Sequence, residues 1–365
     1  MIRLAKPNIS EEAISVVGDI LRSGNLVQGR YVSEFENKLA EYLQVKNAVV
    51  VSSATAALHL SLVALGIKKG DEVIIPSFTF LATANVVELV GAKPVFVDIS
   101  LEDFCIDTTK IEAAITDKTV AIMPVHEFGQ SAKMDDILSI CKKYDLKLIE
   151  DAACALGTAF DNKKVGSFGE LGCFSFHPRK AITTGEGGAV TTNDDVLAKK
   201  IRAIRNHGME LEHGKIEFNY VGFNYRMTDF QAALGVFQLE NFDEQIAVRE
   251  KLAKTYEELL RDIDWITTPK PFEDRRMTYQ TYHILVGDHI DRDKVIQHLN
   301  KNDIQANFGA QAVNVQKYFA KKYNIEKEKL PNAYKSYTKG IALPIGDFLN
   351  YKDIEVICET LKNYE

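Results

Sequence analysis

An α/β fold, with a mostly parallel sheet covered by helices on both faces and a smaller C-terminal α+β domain, is the class this sequence predicts. Three observations predict it. From about residue 47, short β-branched runs alternate with helical patterns, the order that builds βαβ units. Several runs are apolar throughout, as strands covered on both faces are. The rhythm then stops inside a long helical pattern, and only short strand and helix patterns follow. The boundary is placed in that pattern, between a large domain of residues 1–243 and a small one of residues 244–365.

Taken in order, "AVVVSS" reads as a strand, "ATAALHLSLVALG" as a helix, "DEVIIP" as a strand, "TFLATANVVELVG" as a helix and "KPVFVDI" as a strand. "TVAIMPVH", the amphipathic "AKMDDILSICKKYD" and "LKLIEDAA" continue the same alternation. "LGCFSFH" and "GGAVTTN" add two strands, and "DVLAKKIRAIRNHG" a helix. "MELEHGKIEFNYVGFNYRMTD" is polar, aromatic and without a clear period, which predicts an ordered loop. The long pattern "DFQAALGVFQLENFDEQIAVREKLAKTYEELLRDI" then leads into "YHILVG", "DKVIQHLNKNDIQ" and "DIEVICETLKNY".

Composition narrows the function classes. A chain of 365 residues, 46% hydrophobic and 26% charged, suits a soluble globular protein of two domains. Its net charge of -7 argues against a broad footprint for nucleic acid or an anionic membrane. The five cysteines are an odd number without a C-x-x-C pair, so neither a disulfide framework nor a zinc ribbon is suggested. The N-terminus lacks the apolar core of a signal peptide, and no apolar run is long enough to span a bilayer. A cytoplasmic protein is expected.

Some familiar motifs are ruled out. "GEGGAV" ends on Val190 where a dinucleotide fingerprint needs Gly or Ala, and no Walker A sequence occurs. His126 and Glu127 form an H-E pair with no second histidine at helical spacing, so no zinc protease site is indicated, and no metal is expected.

Other stretches are two-sided. "VSSATAALHLSL" runs from a strand straight into a helix, so the amides near Ala54 and the hydroxyl of Thr55 would suit a phosphate, or the stretch is a plain Ser/Thr cap. Glu150 and Asp151 stand where an apolar strand ends, either as an acidic cap or as the buried carboxylate that pairs with a cationic ring nitrogen. Lys180 follows the buried "CFSFHP" and precedes a glycine cluster. There it is a solvated loop charge, or a desolvated amine whose pKa falls and which attacks carbonyl carbon.

The order of these features decides between the alternatives. With "SATAALHL", "PSFTFLATAN", "IEDAACALG", "FSFHPRKAITTGEGG" and "GFNYRMTDFQAA", the chain resembles the DegT-type nucleotide-sugar aminotransferases over nearly its whole length. These are pyridoxal 5'-phosphate enzymes of the aspartate-aminotransferase fold, fold type I. The resemblance implies that Lys180 binds the cofactor covalently and Asp151 keeps its pyridine nitrogen protonated. It puts Ala54, Thr55 and Ser175 in the phosphate cradle and Phe80 against the ring. Asn224 falls on the asparagine that reaches the phosphate of the neighbouring subunit, which implies a homodimer with shared sites. Cys154 stands where glutamine or histidine usually meets the ring hydroxyl, and a thiol is a weak donor.

The implied reaction moves an amino group from L-glutamate, leaving 2-oxoglutarate, to a nucleotide-linked keto sugar used for surface polysaccharide or glycan. A UDP- or dTDP-4-keto-6-deoxyhexose is the expected acceptor. A 3-keto sugar, a cyclic ketone without a nucleotide and a non-catalytic cofactor-binding regulator are the alternatives. The dehydratases of the wider family carry histidine at the lysine position, so Lys180 excludes that activity.

Overall fold

The computed structural model describes residues 1–364. Its main sheet is built from β1 (Asn47–Val51), β2 (Glu72–Pro76), β3 (Lys93–Val97), β4 (Thr119–Ile122), β5 (Lys147–Asp151), β6 (Leu171–Ser175) and β7 (Gly188–Thr192). The seven strands lie in the order β1-β7-β6-β5-β4-β2-β3. All pairings from β6 to β3 are parallel, whereas β7 runs antiparallel to both β6 and β1.

Alternation along the strands feeds two cores. Val49, Val51, Leu171, Cys173 and Val190 face one of them, with α3 (Ala54–Ala64), α4 (Ala82–Leu89) and α6 (Asp195–Arg205). Ala48, Val50, Phe174 and Ala189 face the other, with α2 (Arg30–Leu43), α7 (Asp229–Glu240) and the start of α8 (Phe242–Leu260). Helix α3 is apolar on nearly every side because it is enclosed, with Leu58, Leu60 and Leu62 all buried. On the far half of the sheet, α5 (Met134–Tyr144) covers Ile122 and Leu148 through Met134, Ile137 and Ile140.

The long helical pattern is two helices, α7 and α8, separated at Asn241, a residue whose side chain competes for backbone hydrogen bonds. Helix α8 serves two cores. Phe242 and Ile246 pack with α2 and α7, while Leu252, Ala253, Tyr256 and Leu260 pack with a three-stranded antiparallel sheet and the last helix. That sheet comprises β10 (Ile266–Thr267), β11 (Tyr282–Val286) and β12 (Gly340–Leu343), and the last helix is Tyr351–Lys362. Residues 310–333 turn back. Ala310, Val313, Phe319, Leu330 and Ala333 join the core formed by β1, α3 and α4, and Gln311–Ala312 pairs with Phe78–Thr79.

Part of the stretch expected as a loop is a hairpin, β8 (Met209–Glu212) paired with β9 (Lys215–Phe218). Its two-residue turn has both His213 (φ 50°) and Gly214 (φ 79°) in the left-handed region, which matches the twist of a tight hairpin. Leu211, Ile216 and Phe218 on it are exposed, so no buried face marks the strands in the sequence. Among the described residues no helix is long and apolar enough to cross a membrane.

Candidate active site

The carboxyl ends of β4, β5 and β6 and the start of α3 open onto one cavity of about 330 Å³, closed on the far side by residues such as Asn307, Gly309 and Phe348. Open α/β sheets bind ligands along this edge. Ala54, Thr55, Phe80, Asp151, Cys154, Ser175 and Lys180 all line it.

One part of the lining could hold an anion. Ser53 caps α3 by accepting from the Ala56 amide at 3.1 Å. The amides of Ala54 and Thr55 come first in the helix and have no helical carbonyl behind them, so they remain for a ligand at the positive end of the helix dipole. This turn rests directly on β7. A Cβ on Gly188 would lie 2.5 Å from the Ser53 carbonyl carbon and 2.6 Å from the Ala54 nitrogen, so only glycine permits the approach. Ser175, at the end of β6, completes the wall with a hydroxyl that accepts the His177 amide at 3.4 Å.

Another part of the lining carries charge. Asp151 ends β5, and its carboxylate accepts from the Thr83 hydroxyl at 2.8 Å and the Ala153 amide at 3.2 Å. Burial pushes its pKa above the usual carboxylate range despite both hydrogen bonds, the condition in which a cationic ring nitrogen is a favourable partner. Lys180 donates to the Cys154 sulfur at 2.9 Å. Its pKa lies above, not below, the ordinary lysine value, which corrects the expected fall. Burial does lower it, but Cys154, Glu127 and Asp151 surround the ammonium and outweigh that effect. The ring of Phe80 is 63% exposed and stands at the cavity, free to cover a flat ligand.

Glu150 and Asp151 point to opposite faces of their strand and take different roles. Glu150 is completely buried and accepts the amides of Gly166 (2.7 Å), Phe168 (2.7 Å) and Gly169 (2.9 Å). His126 lies 3.1 Å from the same carboxylate and accepts the Ala132 amide on Nδ1, so its Nε2 carries the proton that Glu150 receives. Both are structural.

Asn224 is exposed and outside the cavity of its own chain, with its backbone bridged to Asn206. The residue that sequence reasoning missed is Glu127, a cavity-lining acid only 4% exposed. Its one signal in the sequence is the H-E pair at a strand end, a pattern that points to metal binding only when a second histidine follows.

Comparison with known proteins agrees with this geometry. Residues 7–362 match the DegT/DnrJ/EryC1/StrS aminotransferase family. The chain is 46% identical over 281 residues, 76% of each chain, to the GDP-perosamine synthase of Caulobacter vibrioides. It is 36% identical over 351 residues, 94% of this chain and 93% of the relative, to the UDP-2-acetamido-2-deoxy-3-oxo-D-glucuronate aminotransferase of Pseudomonas aeruginosa. Among solved structures, Helicobacter pylori PseC, an aminotransferase involved in the biosynthesis of pseudoaminic acid, superposes with a TM-score of 0.93 at 32% identity, covering 99% of this chain and 98% of that one. Spr1654 of Streptococcus pneumoniae, in its PLP-form, also superposes at 0.93, with 30% identity and 99% and 97% coverage. The chain thus belongs to the DegT/DnrJ/EryC1/StrS aminotransferase family, as a sugar aminotransferase that works with pyridoxal phosphate.

Proposed function

We propose that this enzyme moves the amino group of L-glutamate to a nucleotide-linked 4-keto-6-deoxyhexose, and that Lys180 and Asp151 carry the chemistry. The observation that carries the reading is a half-buried lysine placed in one cavity with a helix start whose amides are free for an anion and a buried strand-end aspartate. The residues present fit pyridoxal phosphate. Ala54, Thr55 and Ser175 would hold its phosphate, Asp151 its ring nitrogen, Phe80 its face and Lys180 its aldehyde carbon. When bound, the cofactor supplies an electron sink that makes a proton beside an attached amine acidic.

The chain's own groups do the rest. Asp151, held by Thr83 and the Ala153 amide, keeps a positive charge on the ring nitrogen by pairing with it in a desolvated place. Lys180, when its amine is free, would move the proton, first as base and then as acid. The acids around it favour its charged form, so part of that hold lifts when Asp151 pairs with the ring nitrogen instead. The small residues Ala54 and Ser175 leave the phosphate wall open to backbone contact.

The acceptor is read from relatives. One is named for GDP-perosamine and another for a UDP-linked 3-oxo sugar, which supports a nucleotide sugar and keeps a 3-keto acceptor as the second reading. The test is a panel of 3-keto and 4-keto sugars on UDP, dTDP and GDP, with L-glutamate as donor and the amine located on the product. A 4-amino product from a 6-deoxyhexose is the expected result. Turnover confined to 3-keto sugars, or none with any nucleotide-linked sugar, would replace this reading.

A homodimer with shared sites belongs to the same proposal. The exposed apolar hairpin residues Leu211, Ile216 and Phe218 and the exposed Asn224 near them suit a subunit contact. Chains carrying Lys180→Ala and chains carrying Asn224→Ala, inactive apart, should form hybrids that recover up to about half of the parent activity per dimer, since two-fold symmetry leaves one site intact. Folded hybrid dimers without activity would refute a shared site.

A further inference from the structure

Glu127 has no part in the chemistry above, yet the fold goes to some length to hold it in the cavity. It follows β4 on a turn in which Phe128 has φ 56° and Gly129 φ 90°. A left-handed phenylalanine is strained, and such residues persist where the surroundings over-determine them. They do so here. The Phe128 ring stacks on His283 at 4.2 Å. The Gly129 carbonyl accepts the Thr278 amide at 3.0 Å and the Thr158 hydroxyl at 2.7 Å.

Among the described residues, no other side chain shares a hydrogen bond or ion pair with the Glu127 carboxyl, and the Phe128 amide is the one backbone group that bonds it. The titratable groups that face it are Lys180 from the loop after β6, Asp151 and Cys154 from the end of β5, and Cys105 from the turn after β3. Burial pushes its pKa up to about 8, with Lys180 working against the rise and Asp151 adding to it. Near neutral pH it therefore carries a proton and can donate a hydrogen bond.

Sheet order says what the proton meets. The phosphate cradle belongs to β1 and β6, Asp151 to β5, and Glu127 follows β4, on the side of β5 away from the cradle. On pyridoxal phosphate the phosphate arm and the ring hydroxyl flank, on opposite sides, the carbon that bonds the lysine. A ring with its phosphate in the cradle and its nitrogen at Asp151 turns its hydroxyl edge towards β4. We propose that the Glu127 carboxyl donates to the ring hydroxyl oxygen of the cofactor the hydrogen bond that the Cys154 thiol is poorly suited to give. Glu127 is thus a positioning residue, and the inference rests on the cofactor placement proposed above.

The experiment is a pH titration of the visible absorption band of the cofactor-loaded enzyme, preceded by borohydride reduction and mass spectrometry to find the labelled lysine. A donor on the hydroxyl oxygen draws off its negative charge and weakens its hold on the proton shared with the Lys180 nitrogen. Glu127→Leu and Glu127→Met, two variants in case one loads poorly, should raise the midpoint by roughly one pH unit or more. Glu127→Gln, which still donates, should stay near the parent. A midpoint that is unmoved or lowered in the apolar variants, with the label on Lys180, would overturn this inference alone. An unmoved midpoint with a raised KM for the keto sugar would likewise overturn it and place Glu127 on the acceptor. A label on another lysine would overturn the cofactor placement itself.

Discussion

Lys180→Ala is expected to abolish transamination, by about 10⁴-fold or more, equivalent to ~5.5 kcal/mol of barrier. The loss is that large because one amine is assigned both the covalent attachment and the proton transfer, and the cavity offers no second lysine of the same placement. Lys6 also lines the cavity, but at its far end, near the N-terminus. The variant should fold. Lys180 makes one side-chain hydrogen bond, to Cys154, and its removal opens space towards the cavity instead of within a packed core. Borohydride should then fix no cofactor to the variant, whereas the parent should carry the label on the peptide containing Lys180. Parent-like turnover, or a covalent label in the variant, would remove Lys180 from the mechanism.

Asp151→Asn should cost about 10³-fold in kcat, ~4 kcal/mol, with little change in KM. The amide oxygen can still accept from Thr83 or from the Ala153 amide, so the end of β5 should keep its shape. What disappears is the negative charge beside the ring nitrogen, a group whose effect grows as the reaction proceeds and falls mainly on the rate. Steady-state kinetics and the stoichiometry of bound cofactor check this together. A variant that binds cofactor and turns over like the parent would assign the ring nitrogen to another group.

The fold was legible where burial writes a pattern. β1, β2 and β4 announce themselves as largely apolar runs because both faces are covered, and α3 as an apolar helix for the same reason. The hairpin of residues 209–218 was not legible, since both of its faces meet solvent and its turn is His-Gly instead of a commoner hairpin pair. Lys180, Asp151 and the start of α3, which line one cavity, could be singled out by type and order along the chain. Two things could not. The pKa of Lys180 depends on Asp151 and Cys154 at the end of β5 and on Glu127 after β4, all more than twenty residues before it in the chain, and together they reverse the effect of burial. Glu127 enters the cavity only through the left-handed turn at Phe128, and nothing in "PVHEFGQ" reveals that conformation.

The return of residues 310–333 to the first core bears on how the protein is made. Ala310, Val313, Phe319, Leu330 and Ala333 pack among residues from β1, α3 and α4, elements that leave the ribosome long before them. A nascent chain of about 250 residues would already possess every strand of the main sheet and Lys180, yet would expose the apolar surface those later residues cover. Closing that surface joins chain segments more than two hundred residues apart, so it is a late step of high contact order. The unfinished polypeptide is therefore the form most in need of a chaperone. A truncation that spares Lys180 and Asp151 but removes the segment from Ala310 to Ala333 leaves the start of α3 standing on an open core.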